Sequence, residues 1–226
     1  ETLNELGTLY NEKNDWTNAV TCLSEALAIR TNKLKDSHPD LAESMNDLAE
    51  SKRKQGCFKE ASQLLEKAIK IRKSQLGNNN TELAESYHEM AKVLRDQGEY
   101  TEAEHIMLQA KSIREAIFDE DHSEVAESYH DLAGIYHKLN KYPEALHNYQ
   151  HALKIRKEAL PDDHNDISDT LHSLGELYLD MAQTDLAREH FEHALKIRRS
   201  TLGDSNPDTL KTQECLAKLE NQVVPD

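Results

Sequence analysis

Along residues 41–49 the apolar positions Leu41, Ala42, Met45, Leu48 and Ala49 recur three and four residues apart, which is one face of a helix. A polar break follows at Gln55-Gly56. Phe58, Ala61, Leu64, Leu65, Ala68, Ile69 and Ile71 then define a longer second helix that ends near Leu76-Gly77. This short-helix, long-helix pattern recurs along the whole chain. Ala68-Ile69-Lys70-Ile71-Arg72 returns as Ala152-Leu153-Lys154-Ile155-Arg156 and Ala194-Leu195-Lys196-Ile197-Arg198, and more loosely as Ala26-Leu27-Ala28-Ile29-Arg30 and Ala110-Lys111-Ser112-Ile113-Arg114. The arginines at 30, 72, 114, 156 and 198 are spaced 42 residues apart without insertion or deletion. A fixed period of this length predicts stacked helical units sharing one continuous core, rather than separate globules.

On this frame the chain reads as a single array over residues 1–226. Its units cover about 1–40, 41–82, 83–124, 125–166 and 167–208, followed by a capping helix at 209–220 and a tail at 221–226. First helices begin after His38-Pro39-Asp40, Asn80-Thr81-Glu82, His122-Ser123-Glu124, His164-Asn165-Asp166 and Asn206-Pro207-Asp208, where proline and acids suit a helix start. The fifth unit has Ala182 at the turn and Thr184 where other units carry an aromatic, which predicts a looser hairpin.

Residue size at particular positions narrows the fold. Leu171-x-x-Leu174-Gly175-x-x-Tyr178, Leu3-x-x-Leu6-Gly7-x-x-Tyr10 and Tyr129-x-x-Leu132-Ala133-x-x-Tyr136 follow a large-x-x-Leu-Gly/Ala-x-x-Tyr pattern, and Ala145-x-x-x-Tyr149 and Ala187-x-x-x-Phe191 follow in the second helix. Small residues at Gly7, Ala49, Ala91, Ala133 and Gly175 face Ala19, Ala61, Ala103, Ala145 and Ala187. Trp16, Phe58, Tyr100 and Tyr142 open the second helices and fill the crevices between units. These motifs resemble the tetratricopeptide repeat, usually 34 residues long. The 42-residue variant, with its Ala-Leu-x-Ile-Arg ending and His-Pro-Asp linker, is similar to the repeats of kinesin light chains and of the nephrocystin scaffold of cilia. The resemblance implies an all-α, right-handed superhelical solenoid of helix-turn-helix repeats that serves protein–protein interaction.

Composition agrees. Only 7 Gly and 5 Pro leave little turn chemistry, and a 37% apolar content suits a thin array with much exposed surface. The net charge of −15 repels nucleic acid and anionic membranes and favours basic partners, while also keeping an extended array soluble. Cys22, Cys57 and Cys215 form no C-x-x-C pair and suit a reducing, cytoplasmic compartment, with a cytoskeletal or ciliary association implied by the resemblance. The chain opens inside a repeat, as a fragment of a larger adaptor would.

Candidate chemistry lies on the first helices, which in tetratricopeptide proteins line a concave groove. Spacing i, i+3, i+4, i+7 predicts an exposed stripe in four columns. The first holds Glu1, Glu43, Glu85, Glu127 and Asp169; the second, Asn4, Asn46, His88, His130 and His172. The third holds Glu5, Asp47, Glu89, Asp131 and Ser173; the fourth, Thr8, Glu50, Lys92, Gly134 and Glu176. Acids in the third column argue against a carboxylate clamp. They favour a basic or amphipathic peptide or helix, with Asn and His contacting its backbone. The bland reading of the first column is helix-dipole stabilisation. Alternatives are a spacer or self-associating array, and a kinesin cargo-adaptor type of recognition. The paired histidines His147/His151 and His190/His193 bring no third ligand by spacing, and no H-E-x-x-H, phosphate loop or catalytic triad is present. The expectation is therefore no catalysis, no metal, no cofactor and no small-molecule substrate. The recurrent arginines are read as caps of helix carbonyls or partners of neighbouring acids.

Overall fold

Imidazole rings begin three of the helices. His38, His122 and His164 have extended backbone, and each Nδ1 accepts from the backbone N–H two residues on, at Asp40, Glu124 and Asp166. Asn80 does the same work through Oδ1, accepting from Leu83 N–H at 2.8 Å. Each cap satisfies one of the amide donors that a helix start leaves without a partner. A computed structural model describes residues 2–221 of the chain. Glu1 and the tail from 222 onward lie outside the described residues.

The described residues form eleven helices and no strand. The chain divides into two compact units, Glu1–Ile117 and Phe118–Asp226. The first contains α1 (Thr2–Glu12), α2 (Trp16–Lys33), α3 (Pro39–Lys54), α4 (Phe58–Leu76), α5 (Thr81–Gln97) and α6 (Tyr100–Ile117). The second contains α7 (Ser123–Lys138), α8 (Tyr142–Ala159), α9 (Asn165–Asp180), α10 (Thr184–Leu202) and α11 (Pro207–Asn221). Within each unit consecutive helices pack on one another, as helical hairpins stacked in chain order.

Each hairpin closes on small residues. Ala49, Ala91 and Ala133 are fully buried, as are Ala19, Ala61, Ala103, Ala145 and Ala187 opposite. Where the facing side chain is large, even a methyl group is excluded. A Cβ on Gly175 would lie 2.6 Å from the Phe191 ring, and one on Gly7 would lie 2.4 Å from Leu23 Cγ. The fifth hairpin is not loose, because Leu174, Leu177, Ala187 and Phe191 form one buried cluster. Its irregularity is confined to the turn. Ala182 has φ +58°, in the column where Gly56 and Gly98 stand at +77° and +87° and Asn14 and Asn140 at +58° and +57°. No described helix is long and apolar enough to cross a membrane.

Candidate interaction face

The second column of the first-helix stripe is not exposed. Asn4, Asn46, His88 and His172 are only 5%, 3%, 2% and 3% accessible, and His130 is half-buried. The recurrent arginines explain why. Arg72, near the end of α4, donates to the Glu82 carbonyl at the start of α5, to Ser86 Oγ at 2.7 Å and to Asn46 Oδ1 of α3 at 3.4 Å. Ser86 also donates to Asn46 Oδ1 at 3.1 Å. Arg30 repeats the arrangement, reaching the Asp40 carbonyl and Ser44 Oγ, and Ser44 donates to Asn4 Oδ1 at 2.7 Å.

In the second unit Arg156 donates to the Asp166 carbonyl and Thr170 Oγ1, with His130 Nδ1 at 3.4 Å from each side chain. Arg198 donates to the Asp208 carbonyl and Thr212 Oγ1, and Thr212 Oγ1 lies 3.2 Å from His172 Nδ1. Asn and His both serve in this column because Oδ1 and, in one tautomer, Nδ1 present an acceptor at the same place. At His88 the donor is Arg114 itself, 2.6 Å away, and guanidinium only donates, so the proton of that ring sits on Nε2. The column is therefore a buried polar seam that holds successive helices, rather than a row facing a partner.

The arginines reach beyond their own helices. Four of them bond a carbonyl ten residues on, in the first turn of the following helix. The expected acid pairing is present as well, from Arg30 to Glu43, Arg72 to Glu85 and Arg198 to Asp169, at 3.1, 3.2 and 2.7 Å.

The remaining columns do reach solvent, and their charges are not equivalent. Within the first unit Glu89 sits in an internal ion-pair cluster. Its carboxylate takes Lys92 and approaches Arg53, which is itself buried and bonded to Asp96 at 2.6 Å. Burial pushes the Glu89 carboxyl up, but Lys92 and Arg53 together outweigh it and hold it below its ordinary range. Asp47 has no such cations. Burial drives its pKa to about 6; the bond from Asn4 Nδ2, at 2.8 Å, opposes this, while Glu43, Glu85 and Glu50 add to it. Glu50 is raised too, by burial and Glu89, against Lys92, Arg53 and Lys54. Glu5 and Glu85 are exposed on the same set of helices, and Glu5 joins Arg30 and Glu43 in lining an open pocket of about 520 Å³. Negative charge thus gathers where α1, α3 and α5 meet solvent, partly offset by cations at Glu50 and least offset at Asp47.

In the second unit Glu127 and Asp131 are half-buried on α7. Glu176 is the opposite of Asp47. Burial raises it, but His172 and Lys211 bring it down to about 2.

The family model of the tetratricopeptide repeat matches residues 1–74, 82–158 and 166–222. No curated protein matches the sequence. Among solved structures, the nearly identical tetratricopeptide-like repeats of a Podosopora anserina protein assigned as a kinesin light chain are 26% identical, with a TM-score of 0.72 over 88% of this chain and 95% of that one. BtubC (BKLC) from P. vanneervenii is 22% identical, with a TM-score of 0.72 over 92% of this chain and 81% of that one. A Rap protein complexed with Competence and Sporulation Factor is 16% identical, with a TM-score of 0.75 over 97% of this chain and 63% of that one. The last two likenesses are of fold alone.

Proposed function

Because the chain belongs to the tetratricopeptide repeat family, with repeats of the kinesin-light-chain-like type, we propose that it is a non-catalytic interaction scaffold whose first helices hold a basic or amphipathic segment of a partner protein. The observation that carries the reading is Asp47. A half-buried carboxylate whose pKa stands near 6 because of burial and three neighbouring acids is short of a cation. A lysine or arginine of a partner, placed against α1, α3 and α5, would supply it and be drawn in by Glu5, Glu50 and Glu85. The buried Asn/His seam keeps those helices in register and does not itself touch the partner. Glu89 and Lys92 neutralise each other and set one edge of the acidic stretch. In the second unit Glu127 and Asp131 of α7 offer acids of the same kind. Three free cysteines favour a cytoplasmic setting.

The test is a pair of labelled helical peptides, one rich in lysine and arginine and the other its charge-reversed copy. Each is titrated into the chain at low and high salt. The basic peptide binds more tightly, loses affinity with salt, and loses it again in the Glu5→Gln, Glu50→Gln variant. Equal affinities for the two peptides, or a double variant that binds like the parent, would remove the charge preference. Concentration-dependent dimerisation in sedimentation, with no peptide binding, would instead support a self-associating array.

A further inference from the structure

The geometry points to a zinc-binding site in the second unit, made by His172 and Glu176 of α9 and Cys215 of α11. It would stitch the last helix to the first helix of the preceding hairpin. One donor atom from each residue lies within 4.8 Å of the other two. His172 Nε2 and Glu176 Oε1 are 3.3 Å apart, from positions one helical turn apart on α9. A tetrahedral ion with zinc's bond lengths sets nitrogen and oxygen donors about 3.3–3.5 Å apart, so these two already stand at ligand spacing. Sulfur needs only a small approach from a half-buried side chain.

The donor set is borderline-soft, one nitrogen, one oxygen and one sulfur, which suits zinc over magnesium or calcium. Thiolate and carboxylate together balance the ion's charge in a partly dry site. Three protein ligands leave a fourth position, filled by water or by a donor from a partner.

The hydrogen bonding around His172 separates it from the other rings of its column. Ligation through Nε2 requires that the ring proton sit on Nδ1. At His88 this cannot happen, because Arg114 donates to Nδ1. At His172 the neighbour is a hydroxyl, which works either way. Thr212 Oγ1 is also 2.9 Å from the Asp208 carbonyl. Its own proton can therefore go to that carbonyl, leaving the oxygen to accept from His172 Nδ1–H while Arg198 donates from the other side. A ligating imidazole held by its second nitrogen is the usual outer support of a zinc site.

Lys211 now bonds the same Glu176 oxygen at 2.8 Å, but it is half exposed and can retire into solvent when the ion arrives. Binding is a substitution without redox change. The thiol proton of Cys215 leaves to solvent, sulfur and the two other donors bond zinc, and the ion loses water molecules.

The test uses the full metal-stripped chain. Cobalt(II) is titrated first as a spectroscopic probe and zinc(II) is then added. The expected result is one cobalt per chain, with thiolate-to-cobalt charge transfer and the intense visible bands of tetrahedral geometry, both erased by one equivalent of zinc. Cys215→Ser removes the charge-transfer band. Glu176→Gln weakens binding by at least about 10-fold, and Thr212→Val by about 10- to 100-fold. His147→Gln, which breaks the two-histidine pair on α8 at its exposed member, leaves both readings unchanged. Circular dichroism of each metal-free variant establishes that it folds; should Cys215→Ser not fold, Glu176→Gln decides. Absence of stoichiometric cobalt binding, a Glu176→Gln variant that binds as the parent does, or loss of binding in His147→Gln would overturn the site.

Discussion

Replacing Ala182 by glycine should stabilise the protein although it removes a methyl group and adds no contact. Ala182 stands at φ +58°, in the left-handed region. For a residue with a Cβ that conformation costs roughly 1–2 kcal/mol. Glycine avoids the cost but loses about 0.5–1 kcal/mol through the greater freedom of its unfolded chain. The difference is a net gain of about 0.5–1 kcal/mol, which for a chain of this size raises the midpoint of thermal unfolding by about 2–4 °C per kcal/mol. Gly98 supplies the reverse experiment, since it occupies the equivalent turn at φ +87° with open space where a Cβ would go. Gly98→Ala should lower stability by a similar amount without steric complication. Urea unfolding of the parent and both variants, followed by circular dichroism, measures the pair of effects. If Ala182→Gly is neutral or destabilising while Gly98→Ala destabilises as expected, the five turns are not equivalent and the strain assigned to Ala182 is wrong.

Other expectations follow from the same packing. Gly175→Ala places a Cβ 2.6 Å from Phe191 inside a filled core, so an overpacking cost of about 1–3 kcal/mol should exceed the helix-propensity gain of about 1 kcal/mol, read as a lower urea midpoint. Arg72→Met leaves the Glu82 carbonyl and part of the Ser86–Asn46 seam without their charged donor, and should cost about 1.5–3 kcal/mol; Arg72→Lys, lacking the planar fork, should recover only part of it. For Asp47, whose folded pKa of about 6 lies above its ordinary 3.8, the stabilising form is the protonated one. Its contribution is fully present below about pH 4 and is lost as pH rises through 6, so Asp47→Asn should be the more stable protein at pH 7.5, by up to roughly 3 kcal/mol, and nearly indifferent at pH 4. Urea midpoints at the two pH values check the sign.

The repeat frame, the helix pairs and the close approach of Gly7 and Gly175 to their neighbours could be read from residue size and spacing alone, because size at a fixed period is a packing statement. The fate of Asn46 and His88 could not be read from the stripe they share with Glu43 and Asp47. On a helix of this kind a polar residue three positions from an exposed acid looks exposed as well. What binds Asn46 and His88 is an arginine 26 residues further on, joined at Asn46 by a hydroxyl 40 further on, pairings that helical periodicity does not reveal. A signal was nevertheless present in Ser44, Ser86, Ser128, Thr170 and Thr212, a hydroxyl at every repeat on the core side of the first helix. A strictly recurring hydroxyl beside a strictly recurring arginine marks a buried polar contact. The capping role of His38, His122 and His164 likewise removes three rings from the pool of candidate ligands. The contrast between Glu89 and Asp47 depends on Arg53, 36 residues before Glu89, where the position 36 residues before Asp47 holds Asn11, so column-wise reading averaged over it.

The arginine seam also bears on how such a chain can grow. Arg30, Arg72, Arg156 and Arg198 each hold a carbonyl and a hydroxyl of the element that follows within the same unit. The joint asks of its successor only a backbone oxygen and a Ser or Thr, and an Asn or His of the arginine's own hairpin joins it through the guanidinium or through that hydroxyl. Any copy cut at a multiple of 42 residues meets those terms. Duplication, deletion or shuffling of whole repeats therefore preserves the joints while the outward-facing acids and bases are free to diverge, which makes surface specificity separable from assembly in this chain's ancestry.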